Sequence, residues 1–315
     1  MINPLKIGNV LLKNNIALAP MAGITNAAFR RVASEGGAGL TVTEMVSAAS
    51  IKYGNKKSFK MLELYPGEMA AVQIFGSDPD AMALAARAAV EYGAAIVDIN
   101  AGCPVHKVVK TGAGAALMSN PALFGRIIES VAAAVNVPVT VKFRIGLRPG
   151  EMCGPQLAHI AEASGAAAIT LHGRYASAHH SGPPDMDAVA ATASSVKIPV
   201  YGNGGISGRD TAAAFIGAGC AGIAIGRAAV HNPMIFREIK TGEIPSENVR
   251  LQAFMRYLRL NVELYGEAKG LSVARKLAGY WLKGLPGAAS ARMRFMSMTR
   301  LSEAEEMVRN LTISS

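Results

Sequence analysis

Cys103 stands in Asn100-Ala101-Gly102-Cys103-Pro104, directly after the apolar run 94–99, which puts a thiol on the first loop beyond a buried strand. An unperturbed thiol titrates near ~8.5, so at neutral pH it is mostly protonated and able to act as an acid. A nucleophilic role would instead ask for a depressed pKa. Other side chains with chemistry to offer close similar short runs: Gln73, Lys142 with Arg144, His172 with Arg174, the turn Asn203-Gly204-Gly205, and Gly226-Arg227. The two glycine turns leave backbone N–H groups free to converge on an anion, and Arg227 adds a fork of donors. Together they make a phosphate grip. Lys142 and Gln73 would supply a positive charge and an amide to a flat ring system. A flavin suits such a lysine, because its reduced form is negative near N1 and O2. No dinucleotide-binding glycine fingerprint follows the first strand, so a nicotinamide would visit rather than reside.

The elements that position these residues are eight β-rich apolar runs: 16–19, 40–44, 70–75, 96–100, 137–143, 168–172, 199–202 and 222–226. Ala-rich helical stretches separate them, which implies parallel strands joined by helical crossovers. Near-continuous apolarity fits strands covered on both faces. Eight such units predict an α/β fold, a closed (β/α)8 TIM barrel, with the polar residues at the C-terminal ends of the strands, where barrel enzymes work. The stretch 80–92 is predicted as a helix with an acidic cap after Pro79 and a stop at Gly93. Residues 7–16 are predicted to form a small hairpin closing the bottom of the barrel. After Pro245 the alternation gives way to helical spacing over 251–265, 273–285 and 289–301, so a small C-terminal helical domain is expected. The predicted division is 1–243 for the barrel and 244–315 for the helices.

Charge sharpens that division. The chain carries a net +10, and residues 246–315 hold 11 Lys and Arg against 6 Asp and Glu. A basic helical tail points to an anionic partner such as a nucleic acid. No apolar stretch is long enough to span a bilayer, and the N-terminus lacks the pattern of a signal peptide, so no membrane association is expected. Cys103, Cys153 and Cys220 are odd in number and far apart. Neither a disulfide framework nor a metal site is expected, and a reducing cytoplasm is the natural setting.

Pro20-Met21-Ala22-Gly23-Ile24-Thr25, Asn100-x-Gly-Cys103-Pro104, Lys142-x-Arg144, His172-Gly173-Arg174, Asn203-Gly204 and Ile225-Gly226-Arg227 together resemble the tRNA-dihydrouridine synthases, most closely the B-type bacterial branch. The resemblance extends into the tail through Lys269-Gly270 and Ala274-Arg275-Lys276. It implies an FMN barrel with Pro20, Met21, Ala22, Gln73, Lys142, Asn203, Gly204, Gly205, Gly226 and Arg227 around the flavin and His172 beside it. Cys103 would be the proton donor, and Asn100, Arg144, Lys107 and Arg174 would meet the substrate. The implied reaction reduces the C5–C6 bond of uridines in tRNA, with NADPH or NADH recharging FMN, hydride going to C6 and the Cys103 proton to C5. A monomer with no obligate protein partner is expected. The chain departs from the family pattern at Gly205, at Tyr175-Ala176, at His180 and at Val109. Two other readings share some of these features: an FMN oxidoreductase of a free pyrimidine, resembling dihydroorotate dehydrogenase, and a non-catalytic RNA-binding protein.

Overall fold

The computed structural model describes residues 2–285 and 287–313. Two strands, β1 (Leu5–Ile7) and β2 (Val10–Leu12), form an antiparallel hairpin. The barrel strands follow as β3 (Ile16–Leu18), β4 (Leu40–Val42), the two-residue β5 (Val46–Ser47), β6 (Ala70–Phe75), β7 (Ile96–Asn100), β8 (Val139–Arg144), β9 (Ala168–His172), β10 (Val200–Asn203) and β11 (Gly222–Ile225). Each of the eight long strands pairs in parallel with its successor. β11 returns to β3 and β4 pairs with β6, which closes the ring, while β5 prolongs the edge of β6. This is a TIM barrel. Ile7 and Leu12 of the hairpin are buried in one cluster with Ala17, Leu40, Ala71, Ile96, Ala168 and Tyr201, so the hairpin plugs the apolar end of the barrel.

The helix predicted over 80–92 spans Pro79–Glu91, and its cap differs from the expectation. Asp78 accepts the N–H of Asp80, and Pro79 takes the first helical position. Proline is at home there, because that position's N–H would have no helical partner.

The chain forms two compact units. One comprises residues 1–27 and 38–226; the other comprises residues 28–37 and 227–315. In the second unit the helices are Glu247–Tyr265, Glu267–Trp281, Ala288–Phe295 and Leu301–Ile313, together with the shorter Arg227–His231 and Ile235–Thr241. The second long helix therefore begins six residues earlier than the apolar spacing suggests. Gly270 explains this: a Cβ there would lie 2.6 Å from the Asn261 carbonyl oxygen, so the glycine is a close helix crossing rather than a stop. The stretch predicted as one helix over 289–301 is instead broken after Phe295. Phe29, on the early helix Ala27–Glu35, packs edge-on to Tyr257 and against Trp281, whose indole N–H donates to Val230 O. That aromatic knot ties the early helix to the C-terminal ones.

Candidate active site

Side chains alternate along each barrel strand, so residues two apart share a face. Asp98, Thr140, Lys142, Thr170 and Tyr201 line the barrel interior together with Pro20, Ala71 and Ala224. The same alternation brings Gln73, Asn100, Arg144, His172 and Asn203 to the inner side at the C-terminal end. Register then sets neighbours: Gln73 opposite Asp98, Asn100 opposite Lys142, and Arg144 opposite His172, which is itself opposite Asn203. Polar residues of five strands thus meet at one mouth.

Cys103 is half-buried on the loop after β7. Asn100 holds that loop, its Oδ1 accepting the N–H groups of Gly102 at 3.2 Å and Cys103 at 3.0 Å. Its amide nitrogen donates to Gln73 Oε1. Gly102 is required by close approach, since a Cβ would sit 3.1 Å from the Phe143 Cα of β8. On its other side, Cys103 O accepts the N–H of Ala115. Arg144, 3% exposed, donates through Nε to Gly102 O and through Nη1 to Tyr175 O and His179 O. One guanidinium therefore joins the cysteine loop to the loop after β9. Asn100 and Arg144, expected at the substrate, both hydrogen-bond to the loop that carries the thiol. Lys107 is exposed, on the short helix His106–Val109 just beyond the thiol.

Lys142 is half-buried among charges. Burial, and then Arg144, push its pKa down to about 8, against the opposing pull of Asp98 and Cys103. Burial pushes His172 far below the usual imidazole range, with Lys142, Arg144 and Arg174 adding to the effect. His172 is therefore neutral across the physiological range. Arg174 is buried as well. Its Nε donates to Gly182 O, and its Nη1 lies 3.4 Å from His172 Nε2. His180 stacks on His172 with ring centroids 6.0 Å apart, and His179 holds a positive φ of 48°. Spacing alone does not reveal this pairing; the doubled histidine seven residues after His172 is the only trace of it in the sequence.

Across the mouth, Asn203 donates to Ala224 O and so braces β10 to β11. Gly204 (φ 110°) and Gly205 (φ 78°) follow in a conformation that favours glycine. A Cβ on Gly204 would lie 2.5 Å from the His172 ring, and one on Gly205 3.1 Å from the Arg174 guanidinium. Among the described residues, the N–H groups of Gly204 and Gly205 meet no acceptor in the chain. Gly226 ends β11. Arg227, exposed, opens the next helix and belongs to the second unit. Pro20, Met21 and Ala22 form the turn after β3, in which Thr25 Oγ1 accepts the N–H of Met21. A phosphate-bearing flavin fits this set: a glycine cradle with open N–H donors on one side, and a half-buried cation and a buried amide on the other.

The other thiols are different. Burial raises Cys153, and it pushes Cys220 up to about 12, so Cys220 stays a protonated core thiol. Asp98, buried on β7, is not among the residues singled out from the sequence. The sequence did carry a clue to it, a carboxylate inside an otherwise apolar strand run.

The chain matches the Dihydrouridine synthase (Dus) family over residues 17–314. It is 39% identical over 303 residues to a protein of Pseudomonas putida named tRNA-dihydrouridine synthase B, covering 93% of this chain and 90% of that one. A protein of the same name from Shewanella oneidensis is 42% identical over 288 residues, covering 88% and 89%. Among solved structures, a 2-naphthoyl-CoA reductase complex superposes with a TM-score of 0.62 at 14% identity, covering 76% of this chain and 52% of that one. Morphinone reductase does so at 0.53 and 13%, covering 76% and 89%. At such identities the two structures speak to the barrel fold alone.

Proposed function

The chain belongs to the dihydrouridine synthase family, and on that footing we propose that it reduces the C5–C6 double bond of specific uridines in tRNA, using FMN recharged by NADPH or NADH. The observation that carries this reading is the meeting at one mouth of a half-buried thiol, a half-buried lysine and a glycine cradle with open N–H groups. Gly204, Gly205 and Gly226, with Arg227, would hold the flavin phosphate. Lys142 and Gln73 would face the polar edge of the ring, with Pro20, Met21, Ala22 and His172 around it. When bound, FMN would supply hydride for C6. Cys103, on the opposite face of the pyrimidine, gives its proton to C5, and solvent restores the thiol. Asn100 and Arg144 serve this step by fixing the loop that carries the thiol, and Arg174 by fixing the loop that carries His180.

A uracil stacked in folded tRNA must be extruded before it can reach the mouth, at a cost of a few kcal/mol. Phosphate contacts would offset that cost. Lys107 and Lys110 on the cysteine side are exposed, as is Arg294 in the helical unit. A catalytic barrel over 1–243 and an RNA-binding tail over 244–315 is the proposed division of labour, with a monomer in the cytoplasm as its setting. Among the described residues, no helix is long and apolar enough to cross a membrane.

The test is Cys103→Ala. This variant should keep its visible flavin absorbance and its NADPH oxidation, while dihydrouridine in tRNA, read by mass spectrometry, falls about 100- to 10,000-fold, the range for a lost general acid. Wild-type product levels from Cys103→Ala would remove the thiol from the mechanism. A colourless wild-type protein that binds tRNA would remove the flavin.

A further inference from the structure

We propose that Asp98, which lies below the mouth and away from the reacting atoms, is a positioning residue for Cys103 that acts through the side-chain amides of Gln73 and Asn100. The inference builds on the reading of Cys103 as the proton donor, but its main test does not depend on that reading.

Four links make the chain. Asp98 Oδ2 accepts from Gln73 Nε2 at 2.7 Å, and Gln73 Oε1 accepts from Asn100 Nδ2 at 2.9 Å. Asn100 Oδ1 then accepts the N–H groups of Gly102 and Cys103. The loop end has fixed polarity, because a backbone N–H can only donate, and at the other end Asp98 Oδ2 accepts from Gln73. Burial raises the Asp98 pKa, with the hydrogen bonds from Thr140 and Gln73 opposing it. Between them stand two amides, each of which could be turned end for end. Only one combination of their orientations gives every link a donor and an acceptor. Any other sets N–H against N–H, or oxygen against oxygen, among groups that water does not reach: Asp98 is 3% exposed, Gln73 1% and Asn100 8%. Unmatched polar groups buried in this way are costly.

The carboxylate therefore sets the hand of Gln73, Gln73 sets that of Asn100, and Asn100 presents an acceptor to the cysteine loop. Thr140 completes the anchor, donating its hydroxyl to Asp98 Oδ1 at 2.6 Å. That bond leaves Oδ2 for Gln73. The rival explanation is that Asp98 serves only as a counter-charge to Lys142, whose ammonium it favours.

A pair of variants separates the two. Asp98→Asn removes the charge but can still turn its oxygen to Gln73 while its NH2 goes to the Thr140 hydroxyl, so the hand of the chain survives. Asp98→Leu removes charge and acceptor together, and Gln73 is released to turn. The readout is the rate at which iodoacetamide alkylates Cys103 in the purified flavoprotein, resolved by peptide mass spectrometry with Cys153 as the internal reference. Asp98→Leu should speed Cys103 relative to Cys153 by about fivefold, the worth of one lost loop hydrogen bond, and Asp98→Asn should leave the ratio near wild type.

In turnover, Asp98→Leu should lower kcat by about 100-fold, the scale of a misplaced reacting group, with KM for tRNA little changed. If Asp98→Leu proves too unstable to purify, Gln73→Met breaks the same chain one link higher and should give the same alkylation ratio. Equal ratios for the Asn and Leu variants, or a wild-type ratio in Asp98→Leu or Gln73→Met, would overturn the proposal. A wild-type enzyme that makes no dihydrouridine would instead count against the reading of function, and would leave the alkylation comparison intact.

Discussion

The barrel mouth and the helical unit are both rich in charge but handle it in opposite ways. At the mouth, Asp98, Arg144, His172 and Arg174 are all under 10% exposed, and their resolved hydrogen bonds run to loops, strands and each other. In the helical unit the charged pairs lie near the surface: Arg256 meets Glu35 at 3.0 Å and Arg259 meets Glu305 at 2.8 Å, with both arginines more than 40% exposed. Buried polar groups without partners are expensive, so a mouth built this way has essentially one arrangement. Exposed pairs are worth little and tolerate change. The mouth is built to hold atoms in place, and the helical surface to carry charge.

If that contrast is right, the largest effects belong to positions where the mouth has no slack. Gly204→Ala puts a methyl group 2.5 Å from the His172 ring at a φ of 110°, so it is both strained and crowded. It should cost about 1–3 kcal/mol of stability, the scale of one strained residue, and more if the ring cannot move. Flavin content should fall with it. Gly150→Ala is the matched control, since Gly150 has a φ of 86° but open space around its Cβ. Thermal melts of the two variants, with flavin absorbance alongside, separate strain from crowding. Equal losses of stability and full flavin in both would show that the mouth is less constrained than its packing suggests.

The contrast also explains what could be seen in the sequence. Barrel strands are covered on both faces, so they appear as short apolar runs, and the six runs 16–19, 70–75, 96–100, 168–172, 199–202 and 222–226 match strands to within a residue at each end. Residues that close those runs were visible as candidates for the same reason. Their partners were not visible, because partners depend on register. That Asn100 lies opposite Lys142, and that Arg144 reaches Gly102, Tyr175 and His179 at once, follows from strand stagger and loop path, which no local pattern encodes. The membership of Phe29 in an aromatic knot with Tyr257 and Trp281 was hidden in the same way, by more than 200 residues of intervening chain.

A middle-sized effect is expected from Lys142. Its pKa in the folded protein, about 8, lies below that of a free lysine, chiefly because burial disfavours the charged form. Two opposite trends follow. The flavin-free protein should gain stability as pH rises from about 8 towards the ordinary lysine range, because there the unfolded chain holds the proton that the folded one has released. Flavin affinity should fall over the same rise if the ammonium faces the ring. Lys142→Met should flatten both. Melting and fluorescence titrations from pH 7 to 10 measure the two trends. A flavin affinity that rises with pH in step with stability would place the lysine charge away from the ring.

The smallest effects should come from the helical surface, and there they separate stability from binding. Arg259→Ala breaks an exposed pair with Glu305 and should cost about 0.2–1 kcal/mol, within the usual range for such pairs. Arg294 is exposed on the helix Ala288–Phe295, and among the described residues no carboxylate pairs with it. Its loss should leave the melting temperature in place. If this surface carries charge for RNA, however, Arg294→Ala should weaken tRNA binding evenly across tRNA species and reduce the slope of log affinity against log salt by about 1, the mark of one phosphate contact. Arg259→Ala should change that slope less, because its guanidinium is already neutralised by Glu305. If the slope changes with Arg259 and not with Arg294, the paired residue is the one RNA recruits, and Glu305 becomes a competitor for the phosphate rather than a structural partner.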